Sequence, residues 1–192
     1  MALLKIAQLG NPILRERARE VDPGELEAAE TQRFIDDLVE TMRDANGAGL
    51  AANQVYRPIR IAAVEVAPNN PRYPYKPPIP LTIVVNPVIE PLTGETFENY
   101  EGCLSVPNLR GVVDRFAEVR IKGLDRHGKS FERIARGLTA GTFQHECDHL
   151  DGYVFVDRVK DPKTLCTQVE FERHQRDAFV ERIVPFIQRM GG

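Results

Sequence analysis

An α+β domain is the architecture the sequence predicts, and three observations predict it. Helical periodicity near the N-terminus gives way to a β-branched middle section, helical spacing returns over about residues 138–150, and an amphipathic segment closes the chain. At 192 residues the chain is long enough for one core, so a single domain over residues 1–192 is expected.

The segment DPGELEAAETQRFIDDLVETMRDANG reads as one helix. Asp22 can cap it and Pro23 suits its first turn. Phe34, Leu38, Met42 and Ala45 fall at helical spacing before Asn46 and Gly47 stop it. IRIAAVEV and TIVVNPVIE are rich in β-branched residues and read as strands, as do VVDRFAEVRIKGLD and KSFERIA on either side of the turn-like RHGK. Between the first two strands lies APNNPRYPYKPPIPL, whose six prolines forbid a helix interior and discourage central strand pairing, so residues 67–81 are expected as an extended surface loop. After the second helix, closed by Gly152, YVFV suggests a short strand. The last helix is expected to kink near Pro185.

Composition removes several function classes. Hydrophobic residues at 42% and charged residues at 28% are ordinary for a globular chain. Twenty-five Lys and Arg against 28 Asp and Glu leave a net charge of -3, with no basic stripe interleaved with aromatics, which argues against sequence-specific nucleic-acid binding. No apolar run is long enough to span a bilayer, and MALLKIAQLGNPILRERARE is charged too early for a secretory signal. A cytoplasmic location is expected, or an organellar matrix or stroma for a processed chain. The odd set Cys103, Cys147 and Cys166 is expected to stay reduced.

The stretch QHECDHLDG, residues 144–152, carries the chemistry. On a helix, residues four apart share a face, so His145 and His149 can offer two imidazoles to one ion while Glu146 stands beside them to handle a water proton. A catalytic site needs a third protein ligand and one open position. Phe155 occupies the place where a further downstream histidine would fall, leaving Cys103 in YEGCLSVPN and Glu170 in VEFERHQRD as candidates. Cys147 points off the ligand face and reads as a packing residue. Thr142, Gly141 and Leu138 lie three, four and seven positions before His145 on its helix face, and are expected to line a side-chain pocket in which Gly141 leaves room. Gly47, Gly49, Ala51 and Ala52 allow close backbone approach, so an extended peptide could pair along that edge. Arg115 is expected to pair near the catalytic helix, with Asp148 one partner.

Three stretches, GAGLAANQ at 47–54, EGCLS at 101–105 and QHECDHLDG at 144–152, resemble in order and separation the signature motifs of the peptide deformylases. The similarity runs from LGNPILRERAREV to VFVDRV. The resemblance implies mixed, mostly antiparallel sheets packed around a central HExxH helix, with N-terminal and C-terminal helices. It implies a hydrolase that removes the formyl group from formylmethionyl nascent polypeptides and releases formate, with transient ribosome association. It implies Cys103, His145 and His149 as ligands of one divalent ion, Fe2+ natively, with Zn2+ or Ni2+ able to substitute. A water held by the metal would attack the formyl carbon with Glu146 as general base and acid, while Gln54 and the backbone N–H of Leu104 hold the oxyanion. Substrate contacts are expected from Gly47, Ala48, Gly49, Leu50, Glu101 and Gly102, beside Leu138, Gly141 and Thr142. The chain departs from the common bacterial pattern in the proline loop, GVVDRF and TAGTF, which bear on substrate shape.

Overall fold

Alternation in the central strands organises the fold, which we describe from a computed structural model for residues 2–68 and 75–191. In β2 (Ile61–Val66), Ile61 and Ala63 face one apolar layer while Ala62, Val64 and Val66 face another. β3 (Ile79–Pro91) does the same, with Ile83 and Val85 on one side and Val84 on the other. Successive strand side chains point to opposite faces, so an unbroken apolar run marks a strand covered on both.

These strands belong to a five-stranded antiparallel sheet, ordered β1-β2-β3-β6-β7, in which β1 is Gly49–Ala51, β6 is Glu118–Leu124 and β7 is Ser130–Arg136. Phe34, Ile35, Leu38 and Met42 of helix α2 (Ala29–Asp44) cover one face. Ala140, Phe143 and Leu150 of helix α3 (Gly137–Leu150) cover the other. Each large apolar side chain so enclosed contributes roughly 1.5–3 kcal/mol. A second antiparallel sheet, β4 (Thr96–Cys103), β5 (Val106–Phe116) and the two-residue β8 (Cys166–Thr167), flanks α3. The chain ends in helix α5 (Arg176–Met190). The mixed, mostly antiparallel arrangement around a central helix agrees with expectation.

Four local expectations need correction. The helix expected over residues 22–47 is two: α1 (Pro23–Glu27) and α2, separated by Ala28 at φ -59°, ψ 136°, with no side-chain cap from Asp22. Gln32 Nε2 donates to the carbonyls of Leu26 and Arg126 at 2.8 Å, holding the break against the β6–β7 turn. VVDRFAEVRIKGLD holds the end of β5 and all of β6, because Ala117 leaves the ladder to donate its N–H to Glu95. YVFV is no strand: Phe155–Arg158 forms a 3-10 turn entered from Val154, whose N–H donates to Asp157 Oδ2 at 2.8 Å. The last irregularity falls at a π-helical segment, Phe171–Gln175, after the single turn α4 (Gln168–Glu170), while Pro185 is accommodated inside α5. Of the proline-rich loop, residues 69–74 lie outside the described residues, and Ile79 already begins β3.

Candidate active site

Helix α3 is held at both ends before any chemistry is considered. Gly137, at φ +54°, donates its N–H to Ala117 and turns β7 into the helix. At the far end the buried Arg60 donates to the carbonyls of Leu150 and Pro87 and to Asp151, which satisfies the last turn and favours the negative end of the helix dipole. Gly152 follows at φ +83°, where a β-carbon would meet the Arg15 carbonyl oxygen at 2.7 Å. Midway, Gln144 exchanges two hydrogen bonds with the Phe116 backbone, giving 2.9 Å and receiving 3.0 Å, so α3 is clamped to β5.

Against this helix β4 delivers a cysteine. Its pairing with β5 shifts register between Glu101 and Cys103, and such irregularities re-aim side chains. Cys103 Sγ lies 3.1 Å from His149 Nε2, which in turn lies 3.2 Å from His145 Nε2. All three donor atoms fall within 4.8 Å of one another. Ligand bonds of about 2.0 Å to nitrogen and 2.3 Å to sulfur would put tetrahedral edges at roughly 3.3–3.6 Å, so a thiolate and two imidazoles at this separation fit one borderline-soft divalent ion.

A hydrogen-bonded shell orients these donors. His145 Nδ1 is 2.9 Å from Glu101 Oε2, leaving Nε2 to face the cluster. Arg115 donates twice to Glu101, at 2.7 and 2.8 Å, and once to Asp148 on the next turn of α3, at 2.6 Å. Asp148 also receives Arg158 at 2.7 Å. Asn53 donates to the His149 carbonyl. Burial alone would raise the Glu101 carboxyl, but the adjacent Arg115 guanidinium and His145 outweigh it and hold it far below the usual carboxylate range. Burial likewise opposes ionisation of Cys103, yet the two imidazoles bring its thiol well below the ordinary value. Burial dominates at Glu146 and raises its carboxyl against the pull of those imidazoles.

The cluster lies in a cleft. Of the expected substrate residues, Gly47, Ala48, Gly49, Glu101, Gly102, Gly141 and Thr142 line it, and the expected catalytic residues Gln54, Leu104 and Glu146 reach it as well. Gly49 explains itself: a β-carbon there would stand 2.5 Å from Glu146 Cδ, so the missing side chain is the space the carboxylate occupies. Gln54 accepts from the Ala51 N–H at 2.8 Å, which aims its Nε2 at Ser105 Oγ, 3.0 Å, and Cys103 Sγ, 3.5 Å.

Other expectations land elsewhere. Leu50 is fully buried in the α2 layer, and Leu138 points into an apolar cluster with Phe97, Phe171 and Phe179, so neither lines the cleft. Gly141 leaves no extra room, since a β-carbon would lie 3.3 Å from Phe97 Cζ and 3.5 Å from Asn99 Nδ2. Glu170, half exposed, pairs with Arg173 and His174 and is no part of the donor cluster. Cys147 is buried behind the ligand face, and burial pushes its thiol up. Arg115 does pair with Asp148. Sequence reading missed Asn53, Ser105, Lys76, Asn99 and Arg110, all at the cleft or its donors. Of these only Asn53 and Ser105 fall within the motif stretches, and polar type alone marks none of them.

A thiolate, two imidazoles four residues apart and a buried carboxylate, set in a cleft beside a strand edge, define a metallohydrolase centre. Comparison with known proteins agrees. The pattern of the polypeptide deformylase family matches residues 3–165. A peptide deformylase of Leptospira biflexa is 42% identical over 163 residues, covering 85% of this chain and 91% of its own. Peptide deformylase 2 of a Nostoc species is 42% identical over 170 residues, 88% of this chain and 93% of its own. A class I type b peptide deformylase from Acinetobacter baumannii, solved with Met-Ala-Ser bound, superposes with a TM-score of 0.79 at 39% identity, covering 82% of this chain and 99% of that one. The chain belongs to the polypeptide deformylase family and is an enzyme of that metallohydrolase class.

Proposed function

We propose that this chain, acting as a single catalytic domain, hydrolyses the N-terminal formamide of formylmethionyl nascent polypeptides and releases formate. The observation that carries the reading is the convergence of Cys103 Sγ with the two histidine Nε2 atoms beside a buried Glu146. Cys103, His145 and His149 would hold one divalent ion, Fe2+ natively with Zn2+ or Ni2+ as substitutes. When bound, the ion supplies a Lewis acid and lowers the pKa of a water.

The remaining steps belong to the chain's own residues. Glu146 Oε2 is buried with no hydrogen-bond partner among the described residues, which suits a group that takes the proton of the attacking water and returns it to the leaving amine. Gln54 Nε2, pre-aimed through Ala51, donates to the developing oxyanion together with the Leu104 N–H; one such donor typically contributes about 3 kcal/mol. Strand β1 is the terminal strand of its sheet, and Gly47, Ala48 and Gly49 on the cleft wall let the substrate backbone approach as an added strand. Glu101 and Arg115 hold His145 in orientation and take no proton.

The test is formate release from a formyl-methionyl peptide under anaerobic conditions, with iron and again with zinc. Release that requires metal and is faster with iron supports the reading; no release with any metal ends it.

A further inference from the structure

Gln54 has more partners than an oxyanion donor needs. A glutamine amide offers two hydrogens on Nε2 and two lone pairs on Oε1. Here Oε1 accepts the Ala51 N–H at 2.8 Å, while Nε2 reaches both Ser105 Oγ at 3.0 Å and Cys103 Sγ at 3.5 Å. Both Nε2 hydrogens are engaged before any substrate arrives, so an oxyanion must draw one of them from a standing partner. Ser105, fully buried, stands between the two groups that compete for it. Its N–H donates to Cys103 Sγ at 3.3 Å, and its hydroxyl is the second acceptor of the Gln54 amide. Its carbonyl accepts the Leu9 N–H at 2.7 Å, and the Gln54 carbonyl accepts the Ala7 N–H at 2.7 Å, so one N-terminal segment pins the backbone of both residues.

We propose that Ser105 is a positioning residue: its hydroxyl holds one Gln54 hydrogen so that the other passes from the Cys103 thiolate at rest to the oxyanion during reaction. The contact to Ser105 sits at the ordinary N–H···O distance and the contact to sulfur is long, so the sulfur-directed hydrogen is the one that a charged oxygen draws away. The Ser105 N–H stays on the sulfur throughout, so the thiolate keeps one donor when it loses the other. Ser105 touches no reacting atom and acts through Gln54. The inference rests on the deformylase reading, because that reading sets an oxyanion beside Gln54.

The experiment takes the parent, Ser105→Ala, Gln54→Leu and the double variant, and measures kcat and KM on a formyl-methionyl peptide. It also records the sulfur-to-metal charge-transfer band of each nickel-loaded protein. Hydrogen bonds to a ligating sulfur tune the metal centre, so loss of the Gln54 contact should move the band to longer wavelength in Gln54→Leu. Ser105→Ala keeps the backbone N–H on the sulfur and removes only the hydroxyl, so it should move the band part of that way. It should also lower kcat roughly tenfold, the worth of one hydrogen bond, with KM unchanged. In the Gln54→Leu background Ser105→Ala should change neither quantity further, because the hydroxyl has no amide left to hold. Losses that multiply in the double variant would show a packing role instead and overturn the proposal, as would a parental band in Ser105→Ala or in Gln54→Leu, or a loss confined to KM. If the parent releases no formate, the deformylase reading falls and the band decides: a shift in Ser105→Ala that is absent in the Gln54→Leu background supports Ser105 as the holder of the amide, and an unmoved band overturns it.

Discussion

Helices α2 and α3 cover opposite faces of the same five-stranded sheet, yet they are stabilised by different means. Seven of the sixteen residues of α2 are buried, along one stripe, and the other face meets solvent. Twelve of the fourteen residues of α3 are buried, so both its sides face protein. A one-sided helix contributes through apolar area. A helix enclosed all round must also satisfy every polar group it carries, since a buried polar group without a partner costs several kcal/mol. In α3 pairing meets most of that requirement, Gln144 with the Phe116 backbone, Thr142 with the Leu138 carbonyl, His145 with Glu101 and Asp148 with Arg115, while Glu146 Oε2 and His149 Nδ1 at the cluster stay without a hydrogen-bond partner among the described residues. The difference teaches that the same sheet uses one helix as a cover and the other as a carrier of prepositioned chemistry.

Substitutions on the two helices and their partners should therefore fail in different ways. Glu146→Gln should lower formate release by about 10²–10⁴-fold, with metal content by elemental analysis and the melting temperature held at parental values. Arg115→Met leaves the buried Glu101 carboxylate without its guanidinium, while Asp148 keeps Arg158, and should cost about 3–5 kcal/mol in urea unfolding together with weaker metal retention. In α2, Leu38→Ala should cost about 2–5 kcal/mol by the same measurement while kcat per folded molecule stays unchanged. A drop in kcat there would mean that the cover is not separable from the carrier. Gly49→Ala, on the strand edge facing α3, should displace the Glu146 carboxylate and lower kcat about a hundredfold, with the far-ultraviolet circular dichroism spectrum unaltered.

The same contrast governs what the sequence discloses. The stripe of α2 and the apolar runs of β2 and β3 follow from periodicity, because area is what those residues contribute. Helix α3, read over about residues 138–150 and closed by Gly152, carries a weaker amphipathic pattern because it is buried on all sides, and QHECDHLDG is its strongest mark. Strand β4 escapes notice for a related reason. Its inward residues alternate as Phe97, Asn99, Glu101 and Cys103, but two of the four are polar, so the site itself disguises the strand that builds it. Leu138 shares a face with His145 by count and still turns into the cluster formed with Phe171 and Phe179, because the C-terminal segment packs there and helical spacing does not say against what it packs. Lys76 sits in a proline-rich stretch with no periodic signal, and the structure brings it to the cleft beside Thr142.

X-ray absorption on the iron-loaded protein tests the central claim most directly. One sulfur and two imidazole nitrogens in the first coordination shell, with the sulfur lost in Cys103→Ser, is the expected spectrum. A shell of nitrogen and oxygen alone in the parent would contradict the joining of β4 and α3 around a shared ion.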